Sequence, residues 1–325
     1  MESENQIQTV GSPSRWARLW RLYGRTSIIV LVIIAGALFP AAKAVSGWIP
    51  YMLMGMLFFA FLDIFIRRES FHWSLLGIFL ANILLPFAVF FLLRAFDPDL
   101  ALVGYLTAVT PTATAAPVIV GFLRGKVDYV VTAVLLTNIG IALLLPFTLP
   151  LVAGSSIHIS TMDLLPSVLE VMFIPLGLAL LSRLLPASAR NIIRRGKPLA
   201  FPLWLLVLFL VTSEASAFIR NNRSFSGWLL LSIALISLAI CAVNFALGGW
   251  IGGRAFRREG SQSLGQKNNS FTIWVALAYL TPLTALGPTC YVIYHNLYNG
   301  YQLYAQERSE ERAARGEKSD RILKT

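Results

Sequence analysis

Apolar residues run along this chain in long blocks separated by short polar or basic stretches. Each block is about 20 residues long, the length a helix needs to cross a bilayer. They fall near residues 26 to 47, 48 to 66, 73 to 95, 98 to 124, 127 to 153, 164 to 185, 198 to 219, 226 to 252, 259 to 281 and 283 to 305. The pattern predicts an all-α polytopic membrane protein with ten transmembrane helices. Before the first span lies an N-terminal cytoplasmic or interfacial segment, residues 1 to 25, and after the last a charged cytoplasmic tail, residues 306 to 325.

Spans four and nine are interrupted by polar, helix-breaking residues. In span four, Thr110-Pro111-Thr112-Ala113-Thr114-Ala115-Ala116-Pro117 carries two prolines, each of which lacks an amide donor and crowds the preceding turn. In span nine, the run from Ser261 to Ser270 is polar and contains Gly265 and Lys267. It can be read as a loop before a helix starting at Asn268, or as a break inside the membrane. Backbone freed by a break cannot face lipid, so such a segment has to be buried in protein or line a wet cavity.

Ten spans divide into five and five, residues 26 to 153 and 164 to 305. An odd number per half means the second half enters the membrane from the opposite side, so the two repeats are inverted. Each break then falls in the fourth element of its repeat, the arrangement that points to a transporter's binding site. This symmetry favours the break reading of span nine. It also argues against cleavage after Ala42-Lys43-Ala44, which would leave nine spans.

Composition agrees with this class: 56% of residues are hydrophobic and 13% charged, with a mean hydropathy of +0.68. The formal net charge of +11 is a matter of topology. With the N-terminus inside, Arg15 to Arg25, Arg67 and Arg68, Arg124 and Lys126, Arg183 to Lys197 and Arg254 to Arg258 fall on the cytoplasmic side with the C-terminal tail. Lys43, Arg94, Arg220 and Arg223 remain outside. This is the positive-inside distribution; it places both termini in the cytoplasm and leaves no reason to expect nucleic acid as a partner. Arg15, Trp16, Trp20 and Tyr23 suit an interfacial helix on an anionic leaflet. Residues 1 to 13 are expected to be disordered, and the tail to extend the last helix briefly and then fray.

Enzyme chemistry finds little to work with. His72, His158 and His295 sit near span ends without ligand spacing, and Cys241 and Cys290 lie in apolar surroundings as packing residues. No catalytic residue, metal site or cofactor is expected. A channel or membrane sensor is the competing class, and the inverted repeat favours alternating access instead.

The Thr-Pro-Thr-Ala-Thr-Ala break followed by Arg124-Gly125, Pro175-Leu176-Gly177 in span six, and Gly265-x-x-Asn268 resemble the bile acid:sodium symporter superfamily over about residues 27 to 305. The resemblance implies a core domain in which the two broken helices cross, moving against a panel domain. It also implies an organic anion, such as a carboxylate, as substrate. Sodium-coupled members carry Ser-Asn in span four and Glu and Gln in span nine as sodium ligands. Here those positions fall on Ala116 and Pro117, and on Ser263 and Lys267. Span-five hydroxyls fall near Val130 and Val134, which offer no oxygen.

Lys267 thus brings a positive charge to where the resemblance implies a sodium ion. The reading is an ammonium standing in for sodium in a sodium-independent transporter, with sodium coupling through other residues as the alternative. A charge at that depth costs about 2.5 to 3.5 kcal/mol on insertion scales, so it requires a partner or a wet cavity, unless it snorkels to the cytoplasmic face. A buried amine can also exchange its proton, which leaves proton coupling open. Among Asp63, Glu170 and Glu214, Glu170 is the carboxylate expected to relay protons or pair with Lys267.

For the substrate, half-helices starting near Thr112 and Asn268 would aim their positive ends at an anion. Thr112, Thr114, Asn268 and Asn269 are therefore the expected binding residues, with Asn82 as an addition. Lys267, Ser263 and Glu170 form the expected ion-coupling set, and Pro111, Pro117 and Gly265 the helix breaks. The expected partners are a small organic anion, the lipid bilayer and, for coupling, protons, in a multi-pass protein of a bacterial inner membrane.

Overall fold

The computed structural model describes residues 15–62, 71–154, 159–221 and 227–322. Asp63, Arg67, Arg68, His158, Arg223 and the N-terminal stretch to Pro13 lie outside them, as do the side chains of Arg15, Trp16, Trp20 and Tyr23. Among the described residues the regular structure is helical: α1 (Arg15–Leu38), α2 (Ile49–Phe61), α3 (Trp73–Arg94), α4 (Pro98–Val109), α5 (Ala116–Phe122), α6 (Val127–Ala153), α7 (Thr161–Leu181), α8 (Ala187–Arg195), α9 (Ala200–Asn221), α10 (Gly227–Gly252), α11 (Arg257–Gly265), α12 (Asn269–Tyr279) and α13 (Pro282–Ile322).

Among the described residues, six stretches are long and apolar enough to cross a membrane: Pro40–Phe61, Trp73–Arg94, Val127–Ala153, Thr161–Leu184, Ala187–Asn221 and Gly227–Gly252. Their outer faces carry the exposed apolar groups that a bilayer would cover, with Trp73 (82% exposed), Phe96 (81%) and Trp250 (79%) at or beside helix ends, as aromatic belts require.

Local chemistry sets the boundaries. Asp97 caps α4 by accepting the Leu100 amide at 2.9 Å, with Pro98 in the first turn, where proline loses nothing. Thr110, forced out of the helical region by the following proline, has φ −52° and ψ 130° and ends α4. Pro117 does not break the chain. It sits in the first turn of α5, so the interruption is confined to Thr110 through Ala115. Helix α11 settles the ambiguous run in span nine: Glu259 to Gly265 is helical and buried.

Three boundaries differ from expectation. Helix α1 runs unbroken from Arg15 to Leu38, so the interfacial stretch is continuous with the first span. A 3₁₀ segment, Pro40–Trp48, leads into α2, because Pro40 cannot continue α1. Helix α13 continues to Ile322 instead of fraying soon after residue 305.

Helices α1, α2, α7 and α9 pack chiefly on one another. Helices α3 to α6 and α10 to α13 pack on one another as a second group, and the two groups meet along α6–α7 and along α13 against α1 and α9. Within the second group, α10 and α11 approach to backbone contact. A Cβ on Gly248 would lie 2.3 Å from the Gly260 carbonyl oxygen, and one on Gly260 would lie 2.3 Å from the Gly248 oxygen. Small residues at a membrane helix interface allow such an approach.

Candidate functional site

The two interruptions lie against each other. Thr112 and Lys267 form an isolated antiparallel bridge: the Ala113 amide donates to the Gln266 carbonyl and the Asn268 amide to the Pro111 carbonyl, each at 2.8 Å. Two breaks thereby satisfy each other's backbone groups, as an apolar surrounding demands. Helix α6 completes the joint from one side. Thr137 Oγ accepts the Thr112 amide at 3.0 Å, and Asn138 donates from Nδ2 to the Thr112 carbonyl at 2.8 Å. Asn268 Nδ2 donates to Asn138 Oδ1 at 3.3 Å, and Thr110 and Thr272 join their hydroxyls at 2.8 Å.

Lys267 is buried in this joint, 2% exposed. Its ammonium donates to Asn82 Oδ1 on α3 and, at 3.1 Å, to the Ala108 carbonyl in the last turn of α4. The C-terminal end of a helix carries partial negative charge, so the α4 terminus together with an amide oxygen replaces the water the ammonium has lost. Among the described residues no carboxylate pairs with it. Glu170 is exposed on α7 and forms no ion pair with Lys267, because α7 lies in the other helix group; the expected pairing is corrected. Glu214 is half-buried on α9. Nor does Lys267 snorkel: its side chain turns into the protein.

A cavity of about 690 Å³ opens beside the joint. Thr114, Gln266, Lys267, Asn268, Asn269 and Ser270 form its inner end, and Val292, His295, Asn296, Asn299, Gly300 and Leu303 of α13 one wall. The rest of the lining is largely apolar and aromatic, with Ile29, Met56, Phe59, Phe201 and Trp204, and it includes Lys197 and Phe122. Phe122 ends α5 beside Arg124 and Lys197 closes the Arg183 to Lys197 stretch, so this end of the lining is where the basic connections gather. There Arg258 donates to the Leu123 carbonyl at 2.6 Å, Glu259 accepts the Lys126 amide at 2.6 Å, and Arg124 meets Glu310 of α13 at 3.3 Å.

Of the residues expected to bind substrate, Thr114, Asn268 and Asn269 line this cavity. Thr112 and Asn82 do not. Thr112 is a strut of the joint, its hydroxyl donating to the Ser263 carbonyl at 2.5 Å. Helix α5 begins four residues later, at Ala116, so Thr112 lies inside the break and not at a helix end. Asn82 is turned to the ammonium. Ser263 is buried with its Oγ unpartnered, and Gly265, the last residue of α11, is held to glycine by close packing: a Cβ there would lie 2.3 Å from the Phe245 ring.

Gln266, Ser270, His295, Asn296 and Asn299 are cavity residues that reading the sequence did not single out, and neither were Thr137 and Asn138. His295 is not a span-end residue; it is buried midway along α13. The signal was present as His295, Asn299 and Gln302, a polar stripe at helical spacing in an otherwise apolar span.

Residues 49–222 match the model of the Sodium Bile acid symporter family. No curated protein matches the chain.

Proposed function

This chain belongs to the Sodium Bile acid symporter family and is a secondary transporter of a small solute, and we propose that it carries an organic anion without sodium, the Lys267 ammonium occupying the place of a coupling ion. The observation that carries this is the ammonium's seat on Asn82 and the Ala108 carbonyl inside the joint of the two broken helices. A sodium ion would seek the same kind of oxygens, and the site already holds one positive charge. The surroundings of the positions that lack sodium ligands point the same way. Ala116 and Val130 lie in an apolar cluster with Leu75, Val120, Tyr129 and Ala133, whose aliphatic side chains offer no oxygen to a cation.

The cavity suits an amphipathic anion. Its inner end presents the Asn268 cap of α12 and the Thr114 hydroxyl, which favour a carboxylate. The aromatic wall receives an organic body. Thr114, Asn268 and Asn269 hold the carboxylate in this reading; Gln266, His295 and Asn299 read the rest of the substrate. The ten-span inverted repeat supplies the mechanism: the group of α3 to α6 and α10 to α13 moves against that of α1, α2, α7 and α9, exposing the cavity to alternate sides.

One observation favours sodium coupling as the alternative. Ser263 Oγ, Gln266 Oε1 and Asn269 Oδ1 are buried without hydrogen-bond partners, and a cation needs such oxygens. Melting of the purified protein in detergent, with NaCl titrated against KCl at constant ionic strength, separates the two. A ligand at a hundred times its Kd stabilises by about 2.7 kcal/mol. Wild type is expected to show no difference between the salts, and the Lys267→Gln/Ser263→Glu variant to gain a sodium-specific rise. A sodium-specific rise in wild type overturns the reading.

A further inference from the structure

A second cavity, of about 620 Å³, lies between α10, α11 and α13 on the outer surface of the helix group that holds the joint. On α13 it is lined by Tyr294, Tyr298 and Gln302, residues other than the Val292, His295, Asn299 and Leu303 that line the substrate cavity. Its long wall is apolar and follows α10 from Leu238 through Cys241, Phe245 and Ala246 to Gly249. At about 1.5 Å per residue that wall is roughly 16 Å long, close to the ~15 Å depth of one leaflet of a ~30 Å hydrocarbon core. Leu238, Ala242 and Ala246 are exposed along it, and Gly249 packs against α11, where a Cβ would meet Arg257 and Ser261 at 3.4 to 3.6 Å.

The groove changes character at one end. There it is bounded by Arg257, Arg258 and Ser261 of α11 and by Gln302. Both arginines are exposed, with Arg254 in the adjoining turn also exposed. The neighbouring carboxylate does not neutralise them, because Glu259 is buried against the Lys126 amide. Arg258 donates one guanidinium nitrogen to the Leu123 carbonyl; its other donors and those of Arg257 are planar groups suited to phosphate, and they stand at the basic-loop end of a leaflet-deep apolar track. Basic pockets between membrane helices on that side recognise anionic headgroups.

We propose that this groove binds an anionic phospholipid of the leaflet on the basic-loop side, its phosphate on Arg257 and Arg258 and one acyl chain along α10. Because α11 carries the joint at its other end, a lipid seated there would brace the helix that presents Lys267.

Native mass spectrometry of the full chain, delipidated and then titrated with phosphatidylglycerol or phosphatidylcholine, tests this. Wild type is expected to retain phosphatidylglycerol selectively, and Arg257→Gln to bind it about fivefold more weakly, the effect of one basic residue near an anionic surface. Ala246→Trp, which fills the acyl track on the exposed face without changing charge, is expected to lose retention as well. Arg190→Gln on α8 serves as a basic-loop control and should not. Equal retention of both lipids by wild type overturns the proposal, as does equal weakening by Arg190→Gln and Arg257→Gln. Full competition by glycerol phosphate would show that a headgroup alone suffices, and overturns it too. The wild-type comparison stands even if a variant fails to fold.

Discussion

At the scale of single residues, the ammonium of Lys267 and the amide of Asn82 form one unit on the terminal turn of α4. Removing one member of a buried polar pair leaves the other short of partners, which costs about 1 to 3 kcal/mol, whereas replacing both with apolar groups of similar size is often close to neutral. Asn82→Ala and Lys267→Met are therefore each expected to lower the melting temperature, and Asn82→Leu/Lys267→Met to lower it less than either. A strictly additive double variant would show that the two residues do not act together. In the proposed reading Thr114 and Asn268 hold the substrate carboxylate, so Thr114→Val should reduce organic-anion uptake into proteoliposomes by roughly tenfold, the worth of about 1.4 kcal/mol, with little change in melting. Lys267 was legible because a cation inside an apolar span has no bland place to go. Its partners were not, since Asn82 is 185 residues away in sequence and an asparagine in an apolar helix carries no mark of what it faces.

At the scale of elements, the breaks were legible in composition, and the way each is built was not. Pro111 ends α4, but Pro117 sits in the first turn of α5, and Pro86 and Pro146 lie inside α3 and α6; proline costs nothing in a helix's first turn and a hydrogen bond in its interior, and sequence alone does not say which applies. The polar run of span nine was ambiguous because α11 draws its burial from α10 and not from apolar side chains of its own. Gly248 and Gly260 let the two backbones touch. Gly248→Ala is thus expected to destabilise the protein by about 1 to 3 kcal/mol as an overpacked contact, read as a lower melting temperature. Gly177→Ala, where a Cβ would meet nothing within 4 Å, should be tolerated. A Gly248→Ala variant that melts with wild type would mean the α10–α11 contact relaxes freely.

At the scale of the whole molecule, the cavity lining reaches Lys197, Phe122 and Leu303, at the end of the bundle where the basic connections gather. With that side cytoplasmic, a membrane-impermeant thiol reagent should label Thr114→Cys, in a background where Cys241 and Cys290 are alanine, from the cytoplasmic face of the membrane. Labelling from the opposite face alone would reverse the assignment, and labelling from both at once would favour a channel. The sequence by itself determined the class of protein, the interruption at Thr110 and Pro111, and the oddity of a lysine in the second polar run. Hydrophobic length, proline and charge distribution are local properties, and a bilayer turns them directly into spans and topology. Only the tertiary structure decided that the two breaks pair through their backbones, that Thr137 and Asn138 complete the joint, and that α13 supplies a polar wall. Those depend on which helices become neighbours, and neighbours are chosen by the summed packing of the whole chain, which no single span records.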